Sequence, residues 1–551
     1  MFIFYDTETS GLEKNFSQIF QMGLIFTDGD MNILSAKKID CRRSPWCVPA
    51  PGAMLTTGFT PDVLKAAKNS HFEMMHEVDQ WIRAQHWPII FSGYNTQGYD
   101  DDVLAANFHM NLLDGDTTTT RDAKTGECNG RHDLMVVVKA VQAWMPGALK
   151  LDIMNDFGYP SLKLMNVASQ NGVALSADDA HDAMNDIRAT VGVGKMLKRV
   201  APDVWDHLLK LSTTDGVDEF VANNKVFNLT TVFSGKNKGY AVTSVGRRNG
   251  SGNTELLFDL AYDPAPYLNM TVEQLKQVFI DADKKPSKGN PYPPKPFRKL
   301  NRSEQPMIGT LEMTEATLPK GFDEKLANAR ADAVRGNAQF MENLAEAAKL
   351  AKEETAKAPH VHTEQPEEGL HKDLQGPLKD KMEQWKKEFA EAKSWKEAAG
   401  LVKDFYTRFE KEMEEEPSIR RFVKFAGRIV FEHAPEELSE DKQEAMRRFI
   451  AAHILNPDKG VPWMTVAKAR EELDGIEADR ASTDPKKKNK WAHATDTQIR
   501  SLKLFYTSLE KEFGPYLQNQ PSAPAAPASN DNPTEAPKAA EVKKVNEPPK
   551  P

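Results

Sequence analysis

The chain opens with Met1-Phe-Ile-Phe-Tyr-Asp-Thr-Glu-Thr-Ser-Gly11, an apolar run that ends in two acidic residues. The apolar part, Phe2 to Tyr5, is typical of a buried strand. Asp6 and Glu8 follow at a spacing of two, so both carboxylates project from the same face of an extended backbone. Such a pair repels, and a divalent cation between the two groups relieves the repulsion. An isolated Asp-x-Glu is more often a strand end followed by a solvated residue, so a metal site is predicted only if the chain supplies further ligands.

Length and composition describe an ordinary multidomain protein. At 551 residues the chain is too long for one core, and about 100–200 residues per domain predicts three or four units. Hydrophobic residues make up 40%, and Cys41, Cys47 and Cys128 show neither zinc-site spacing nor a disulfide framework, so we expect the reducing cytoplasm. No apolar run approaches the ~18 residues of a membrane span, and no basic region precedes the first strand. We therefore expect neither membrane insertion nor secretion.

The first two hundred residues predict an α/β arrangement. Two further strands follow the first, over 20–26 and 31–41, and Asp28-Gly29 between them favours a tight turn, which gives an antiparallel meander. The Gly- and Pro-rich stretch from Pro51 to Pro61 predicts a loop, after which Thr60 and Pro61 open a helix. The remaining predicted elements are a strand over 88–92 and helices from Tyr99, over 131–145, over 164–172 and from His181 to Val200. Alternating helices and strands after a meander predict a mixed sheet covered by helices.

The rest of the chain changes character twice. Residues 225–245 and 255–262 alternate like strands, with a short helix over 275–281 and another strand near 306–311, which predicts a small β-barrel or sandwich. Residues 322–517 are rich in Ala, Glu, Lys and Leu and predict a helical unit with a polar linker over 356–375. The tail from 518 to 551 is too polar and Pro-rich to fold. We place the units at 1–200, 201–320 and 321–517.

Two later segments supply acids and a base for the first strand. Asp100 begins a helix directly after a buried strand, and Asp101 and Asp102 point about 100° and 200° further round, so one of the three faces the site. Considered alone, Asp100 is more simply a first-turn acid that the helix dipole favours. His181 and Asp186 lie five residues apart, so they share a face only if His181 occupies the turn before the helix and reaches over. A histidine there is otherwise a cap or a solvated residue.

An Asp-x-Glu strand, a Tyr-Asp helix start and a His-x4-Asp helix, in this order, resemble the three motifs of the DEDDh exonucleases. Further segments resemble the exonuclease I family, bacterial enzymes that degrade single-stranded DNA. The segments that carry this resemblance are Pro51 to Pro61, Gly93-Tyr94-Asn95, Tyr99-Asp100-Asp101, Arg131-His132-Asp133-Leu134, Phe258-Asp259-Leu260-Ala261, Lys299-Leu300-Asn301 and Arg421 to Leu473. The resemblance implies a ribonuclease H-like exonuclease domain with a mixed sheet, then a small SH3-like β domain and an α-helical domain, enclosing a groove for a single strand.

The chain departs from the family at a few positions. Thr7 and Thr9 flank the first acids as in the proofreading subunit of the replicative polymerase, where exonuclease I has Tyr and Phe around its Glu. His132 replaces a Trp, and Lys163 stands where the family has an Arg that contacts the substrate. These differences concern the substrate more than the reaction. A DEDDh ribonuclease, a proofreading nuclease and a catalytically silent nucleic-acid-binding protein therefore remain alternatives.

The chemistry expected of these residues is hydrolysis of a phosphodiester. The carboxylates of Asp6, Glu8, Asp100 and Asp186 are hard ligands suited to two Mg²⁺ ions, which Mn²⁺ should replace. Such ions activate a water and stabilise the leaving oxygen, and His181 would take the proton from that water. Glu8 and Lys163 would also contact the substrate. The product would be a 5′-mononucleotide released from a 3′ end.

Substrate and partner contacts further out are less specific in the sequence. The formal net charge of −9 is spread over the whole chain and identifies no partner. Lys236, Lys238, Arg247 and Arg248 could follow the strand but are also typical of a solvated face. The run Lys486 to Trp491 mixes charge with an aromatic ring, although an exposed loop or helix start is the simpler interpretation, and His360 and His362 are read as incidental. The resemblance implies a monomer that binds single-stranded DNA and the acidic C-terminal tail of single-strand-binding protein.

Overall fold

The computed structural model describes residues 1–122, 125–174, 183–233, 235–248, 252–282, 284, 293–355, 376–409, 420–482 and 491–518. Several predictions concern residues outside these ranges. They are the base His181, the linker over 356–375 with its two histidines, the lysine run over 486–490 and the tail beyond 518.

The first part of the chain forms a five-stranded mixed sheet of order β3-β2-β1-β4-β5. The first three strands are an antiparallel meander, whereas β4 and β5 join the sheet in parallel, so the predicted layout is confirmed. The strands are β1 (Phe2–Thr9), β2 (Ile19–Thr27), β3 (Ile33–Asp40), β4 (Ile90–Gly93) and β5 (Gly130–Asp133). The accompanying helices are α1 (Pro51–Thr57), α2 (Pro61–Ala66), α3 (His71–Arg83), α4 (Asp100–Met110), α5 (Leu134–Trp144), α6 (Leu164–Gln170), α7 (Ala183–Val200), α8 (Pro202–Lys210) and α9 (Thr214–Asn223).

Strand β1 is buried on both faces. Its side chains point alternately to the two faces, and each face packs against a different helix. Ile3 and Tyr5 belong to the core that contains Val103 and Leu104 of α4. Phe2 and Phe4 point the other way, into a core shared with the aliphatic side chains of α5 and α7. Fully burying an aromatic or branched aliphatic side chain contributes about 1.5–3 kcal/mol, so both faces hold the strand firmly. The consequence is that α4 and α7 lie on opposite faces of the strand that carries the first acids.

Two of the predicted elements are wrong in part. The stretch predicted as a loop begins with helix α1, because Pro51 occupies the first turn, where a missing N–H costs nothing, and Gly58 ends the helix at a φ of 73°. Residues 131–145 are not helical throughout: β5 runs to Asp133, whose side chain accepts a hydrogen bond from Met135 N and so caps α5. The predicted cap of α2 is confirmed, since the Thr60 side chain accepts from Val63 N.

The second part is a five-stranded antiparallel sheet of order β10-β6-β7-β8-β9. Helices α8 and α9 precede it, and Trp205 of α8 lies against the rings of Phe2 and His132, with centroids 6.2 and 4.6 Å away. The strands are β6 (Phe227–Phe233), β7 (Lys236–Arg247), β8 (Thr254–Asp259), β9 (Phe297–Asn301) and β10 (Ile308–Gly309), with α10 (Val272–Ala282) beside them.

The third part is helical, as predicted. Its described helices are α11 (Glu324–Arg335), α12 (Ala338–Thr355), α13 (Gly376–Glu391), α14 (Trp395–Phe409), α15 (Arg420–His433), α16 (Glu440–Ile454), α17 (Val466–Ala481) and α18 (Asp496–Gln518). The position of Trp491 beside the lysine run predicts an exposed segment, and for Trp491 this prediction is wrong. Its ring is buried in the core that joins α17 and α18 to Met54 and Leu55 of α1. Among the described residues, no helix has the length and apolar character needed to cross a bilayer.

Candidate active site

Asp6 and Glu8 are half-buried near the end of β1, on the face covered by α7. Gly23 of β2 pairs directly with Asp6 across the sheet. A Cβ atom at this glycine would lie 2.6 Å from Ile187 Cδ1 and 3.3 Å from the backbone carbon of Ala183. The missing side chain therefore lets the first turn of α7 contact the sheet opposite Asp6, and Asp186 lies in that turn.

The turn between β4 and α4 is held close to the same strand. A Cβ atom at Gly93 would lie 2.8 Å from the carbonyl oxygen of Tyr5 and would also overlap the Thr96 side chain, so only glycine fits there. Beyond it, Asn95 adopts a φ of 70°, and its N–H donates to Asp133 Oδ1 at 2.8 Å. Asp133 Oδ2 accepts from Gln97 N at 3.2 Å. Burial raises the pKa of Asp133 to about 6, while these backbone donors favour its charged form.

Three consecutive acids begin α4, and each has a different environment. Asp100 is buried, and its Oδ1 accepts a hydrogen bond from Thr7 Oγ1 at 2.5 Å. Asp101 is also buried and accepts from the hydroxyl of Tyr5. Asp102 is exposed and forms an ion pair with Lys14 Nζ at 2.8 Å. The structure therefore brings only the first of the three towards Asp6, since the second is directed to Tyr5 and the third to solvent.

The electrostatics of the cluster are dominated by negative charge. Burial raises the pKa of Asp6 well above its ordinary value, and the nearby charges of Asp100, Glu8 and Asp186 raise it further. Among the described residues, every charge that shifts the pKa of Asp6 belongs to a carboxylate. Burial also raises the pKa of Asp100 to about 7, with the Thr7 hydrogen bond acting in the opposite direction.

This donor set fits a hard divalent cation. The four carboxylates, which we call the acid cluster (Asp6, Glu8, Asp100 and Asp186), offer hard oxygen ligands and concentrated negative charge, the combination that Mg²⁺ and Mn²⁺ bind. Within the described ranges, no group of three or more His, Cys, Asp and Glu side chains is already arranged around a metal position. What favours an ion here is therefore the charge and chemistry of the donors.

Two predicted site residues, His181 and Lys163, are not part of this cluster as the structure describes it. His181 is outside the described residues, two positions before α7 begins. Lys163 is exposed at the start of α6, and the carbonyl of Leu162 beside it accepts a hydrogen bond of 2.5 Å from the Tyr94 hydroxyl. Because Tyr94 follows β4, this bond ties the Lys163 segment to the turn that leads to α4.

The cations of the second part differ in their freedom to bind a strand. Lys236 and Lys238 are exposed, and Lys238 Nζ lies 4.9 Å from the ring centre of Tyr240. Arg247 forms ion pairs with Asp218 at 2.8 Å and Glu255 at 3.8 Å, so it serves the fold of this part. Arg248 follows β7 and is half-buried.

The sequence did not reveal the long-range contacts of five residues that organise the site. Tyr5, Thr7, Asp101 and Asp133 all contact residues far away in the chain. Tyr99 is a fifth: its hydroxyl hydrogen-bonds with Thr9 Oγ1 at 2.7 Å and fastens the end of β1. The only signal available was positional, since Asp133 precedes a helix like a capping residue, and Tyr5 and Thr7 flank Asp6 on the opposite strand face.

The mixed sheet, with acids on β1, at the start of α4 and in the first turn of α7, defines a ribonuclease H-like exonuclease fold. No protein-family model matches the chain. Exodeoxyribonuclease I of Escherichia coli K12 is 27% identical over 288 residues, which cover 51% of this chain and 58% of that protein. Exodeoxyribonuclease I of Buchnera aphidicola from Schizaphis graminum is 30% identical over 210 residues, 38% of this chain and 42% of that protein. The chain thus spans about half the length of the curated relatives it matches.

Solved structures extend the similarity to nearly the whole chain. Exonuclease I of Methylocaldum szegediense superimposes with a TM-score of 0.68 at 20% identity, covering 92% of this chain and 99% of that one. Escherichia coli exonuclease I in complex with a dA16 oligonucleotide gives a TM-score of 0.66 at 18% identity, with the same coverage. The predicted resemblance to the exonuclease I family is therefore confirmed, as is the predicted fold class.

Proposed function

We propose that the chain is a metal-dependent 3′→5′ exodeoxyribonuclease that degrades single-stranded DNA to 5′-mononucleotides. The observation that carries the proposal is the acid cluster, in which the charges of Asp100, Glu8 and Asp186 all raise the pKa of Asp6. Two findings support the choice of reaction and substrate. The curated relatives are named exodeoxyribonuclease I, and the similar structures include exonuclease I bound to oligonucleotides.

Each residue of the site has a role in this reaction. The acid cluster would hold two divalent ions, with Mg²⁺ as the natural ion and Mn²⁺ as a substitute. When bound, such ions supply an activated water and a counter-charge for the leaving 3′-oxygen. His181 would accept the proton of that water, because an imidazole with a pKa near neutrality suits a general base. Thr7 would orient the Asp100 carboxylate through its hydrogen bond.

The substrate would enter along exposed cations. Lys163 lies on the segment that Tyr94 ties to the site and would contact a phosphate near the 3′ end. Lys236 and Lys238 would bind the strand further out, and the Tyr240 ring beside Lys238 offers a face on which a base can stack. Removing such a contact should weaken DNA binding and make the affinity less dependent on salt concentration. The rate of the chemical step should change less.

Degradation of end-labelled DNA tests the reaction directly. We expect the full-length chain to shorten 3′ ends of single-stranded DNA in Mg²⁺ but not in EDTA, and to leave duplex DNA largely intact. Asp6→Asn should abolish this activity, whereas Asp102→Asn, on the exposed ion pair of the same helix start, should keep it. Full activity of Asp6→Asn would refute the site. Faster degradation of RNA than of DNA would replace the proposed substrate with that of an exoribonuclease.

The proposal also includes a protein partner, single-strand-binding protein, and a cellular role. One similar solved structure contains SSB together with exonuclease I, and we extend this partner to the present chain as a cytoplasmic monomer in DNA repair. The chain should bind immobilised single-strand-binding protein, and deletion of the acidic C-terminal tail of that partner should remove the interaction. Equal binding to the truncated partner would contradict this part.

A further inference from the structure

A second buried group of polar side chains lies directly beside the acid cluster. Tyr5 precedes Asp6 on β1, and its hydroxyl donates a hydrogen bond to the Asp101 carboxylate. Tyr5 is 1% exposed and Asp101 3% exposed, so water does not compete for this bond. We call Tyr5, Asp101 and Arg131 the clamp.

Arg131 completes the clamp from the neighbouring part of the sheet. It lies on β5, and its Nε is 3.5 Å from Asp101 Oδ2. The same Nε donates to Thr118 Oγ1 at 2.8 Å, which fixes the orientation of the guanidinium. Like Asp100, which accepts from Thr7, Asp101 has a hydroxyl donor, and it also has the guanidinium of Arg131 close enough to balance its charge. A buried carboxylate with these partners is unsuited to bind a further cation.

The clamp connects the two chain segments that carry the acids. Tyr5 is adjacent to Asp6, and Asp101 is adjacent to Asp100, so one hydrogen bond fixes the distance between the backbones of both. On the other side of Asp6, Thr7 donates directly to Asp100. Two successive residues at the start of α4, Asp100 and Asp101, are thus hydrogen-bonded to β1. Their partners on β1, Thr7 and Tyr5, lie on either side of Asp6.

We infer that the clamp is a positioning device that sets the separation of Asp6 and Asp100 for the metal ions they hold. The inference rests on the proposed function and deepens it, since Tyr5 and Asp101 act through their neighbours and touch no reacting atom. Packing alone does not account for the clamp. A phenylalanine at position 5 would fill the same space, and the hydrogen bond that the hydroxyl makes within the described ranges is the one to Asp101.

The test compares metal binding with stability in the full-length chain. Tyr5→Phe and Asp101→Asn should each weaken Mn²⁺ binding about tenfold, as measured by electron paramagnetic resonance without DNA, because outer partners of ligands have effects of that size. The double variant should bind Mn²⁺ no more weakly than the weaker single variant, since the Tyr5 hydroxyl and the Asp101 charge act through the same hydrogen bond. The KM for single-stranded DNA should stay unchanged, and excess Mn²⁺ should restore most of kcat. Asp102→Asn is the matched control and should bind Mn²⁺ like the wild type.

Two results would overturn the inference. One is a lower Tm for Tyr5→Phe with an unchanged Mn²⁺ affinity, which would make the clamp a purely structural contact. The other is additive losses in the double variant, which would show that the two side chains act separately. Failure of the proposed function is distinguishable from both, since the wild-type chain would then neither bind Mn²⁺ through Asp6 nor hydrolyse DNA.

Discussion

The acid cluster and the contact between α3, α15 and the segment after β3 both withdraw carboxylates wholly or partly from solvent, yet they are built differently. At the contact, which we call the joint (Arg42, Glu73 and Glu432), Arg42 Nη2 lies 3.2 Å from Glu432 Oε1 and Nη1 lies 3.7 Å from Glu73 Oε2. Burial is the main cause that raises the pKa of Glu432 to about 7; the Arg42 charge opposes this rise, and the Glu73 charge adds to it. In the acid cluster, each described charge that shifts the pKa of Asp6 raises it.

The two regions offset the repulsion and desolvation of buried carboxylates in different ways. Buried carboxylates are costly unless a positive charge compensates them. The joint carries its own arginine, which offsets part of the cost of burying Glu432 and links the first and third parts of the chain. In the proposed function, cations from solution would offset the negative charge of the acid cluster, which suits a site whose ions take part in a reaction.

The largest effect is expected at the acid cluster itself. Asp6→Asn should lower kcat for hydrolysis of single-stranded DNA by about three orders of magnitude or more, since it removes a charged ligand that the reaction requires. Single-turnover assays at saturating DNA measure this loss. A decrease of less than tenfold, with normal Mg²⁺ dependence, would show that the first acid is dispensable.

At the joint, stability should depend on pH. Because the folded-state pKa of Glu432 is raised, the folded chain binds more protons than the unfolded chain between the two pKa values, and stability is lost as the pH rises through about 7. Glu432→Gln imitates the protonated form and should escape this loss. Its advantage in the free energy of unfolding should grow from near zero below pH 4.5 towards about 3 kcal/mol above pH 7. Urea unfolding at several pH values checks this, and a constant difference would contradict it.

Removing the arginine of the joint should reveal the charges it compensates. Arg42→Met should destabilise the fold by about 2 kcal/mol at pH 8, less than for a fully buried pair because Arg42 is partly exposed. Lys37→Met, which removes a more exposed pair with Glu77, is the control and should cost about 0.5 kcal/mol or less. If the two variants lose equal stability, the joint is no more than an ordinary surface pair.

The smallest expected effect concerns the approach of α7 to the sheet. Gly23→Ala places a methyl group against Ile187 and Ala183, and the Ile187 side chain can move more easily than the helix backbone. We expect a loss of about 1 kcal/mol in stability together with weaker Mn²⁺ binding, because Asp186 moves with the helix. Gly29→Ala, in a turn with open space around it, is the control. A loss of stability with unchanged Mn²⁺ affinity would show that Gly23 supports the fold but does not affect the acid cluster.

Much of the fold could be predicted because it is local in the sequence. The alternation of β1 and the spacing of Asp6 and Glu8 indicate the strand and its acidic face without any tertiary information. The partners of Tyr5 and Thr7 could not be predicted in this way, since they lie more than ninety residues away. Nothing local distinguishes Asp100 from Asp101 either. Their different roles depend on which side chain of β1 each one meets.

Helix α1 illustrates the opposite failure. Pro51 and Gly52 are turn residues by composition, and a loop was the reasonable prediction. In the structure Gly52 N donates to Glu472 Oε1 at 2.9 Å, and the side chains of α1 enter the core around Trp491. Contacts with the third part of the chain thus override the local preference, which no short window of sequence can show.

The most direct test of the central claim is the effect of Mg²⁺ on the Tm of the wild-type chain and of Asp6→Asn. If the acid cluster requires a cation, Mg²⁺ at about 100 times its Kd should stabilise the wild type by about 2.7 kcal/mol. In EDTA, Asp6→Asn should be at least as stable as the wild type, because one repelling charge is gone, and Mg²⁺ should then raise its Tm little. An equal rise in both proteins, or none in the wild type, would contradict the claim.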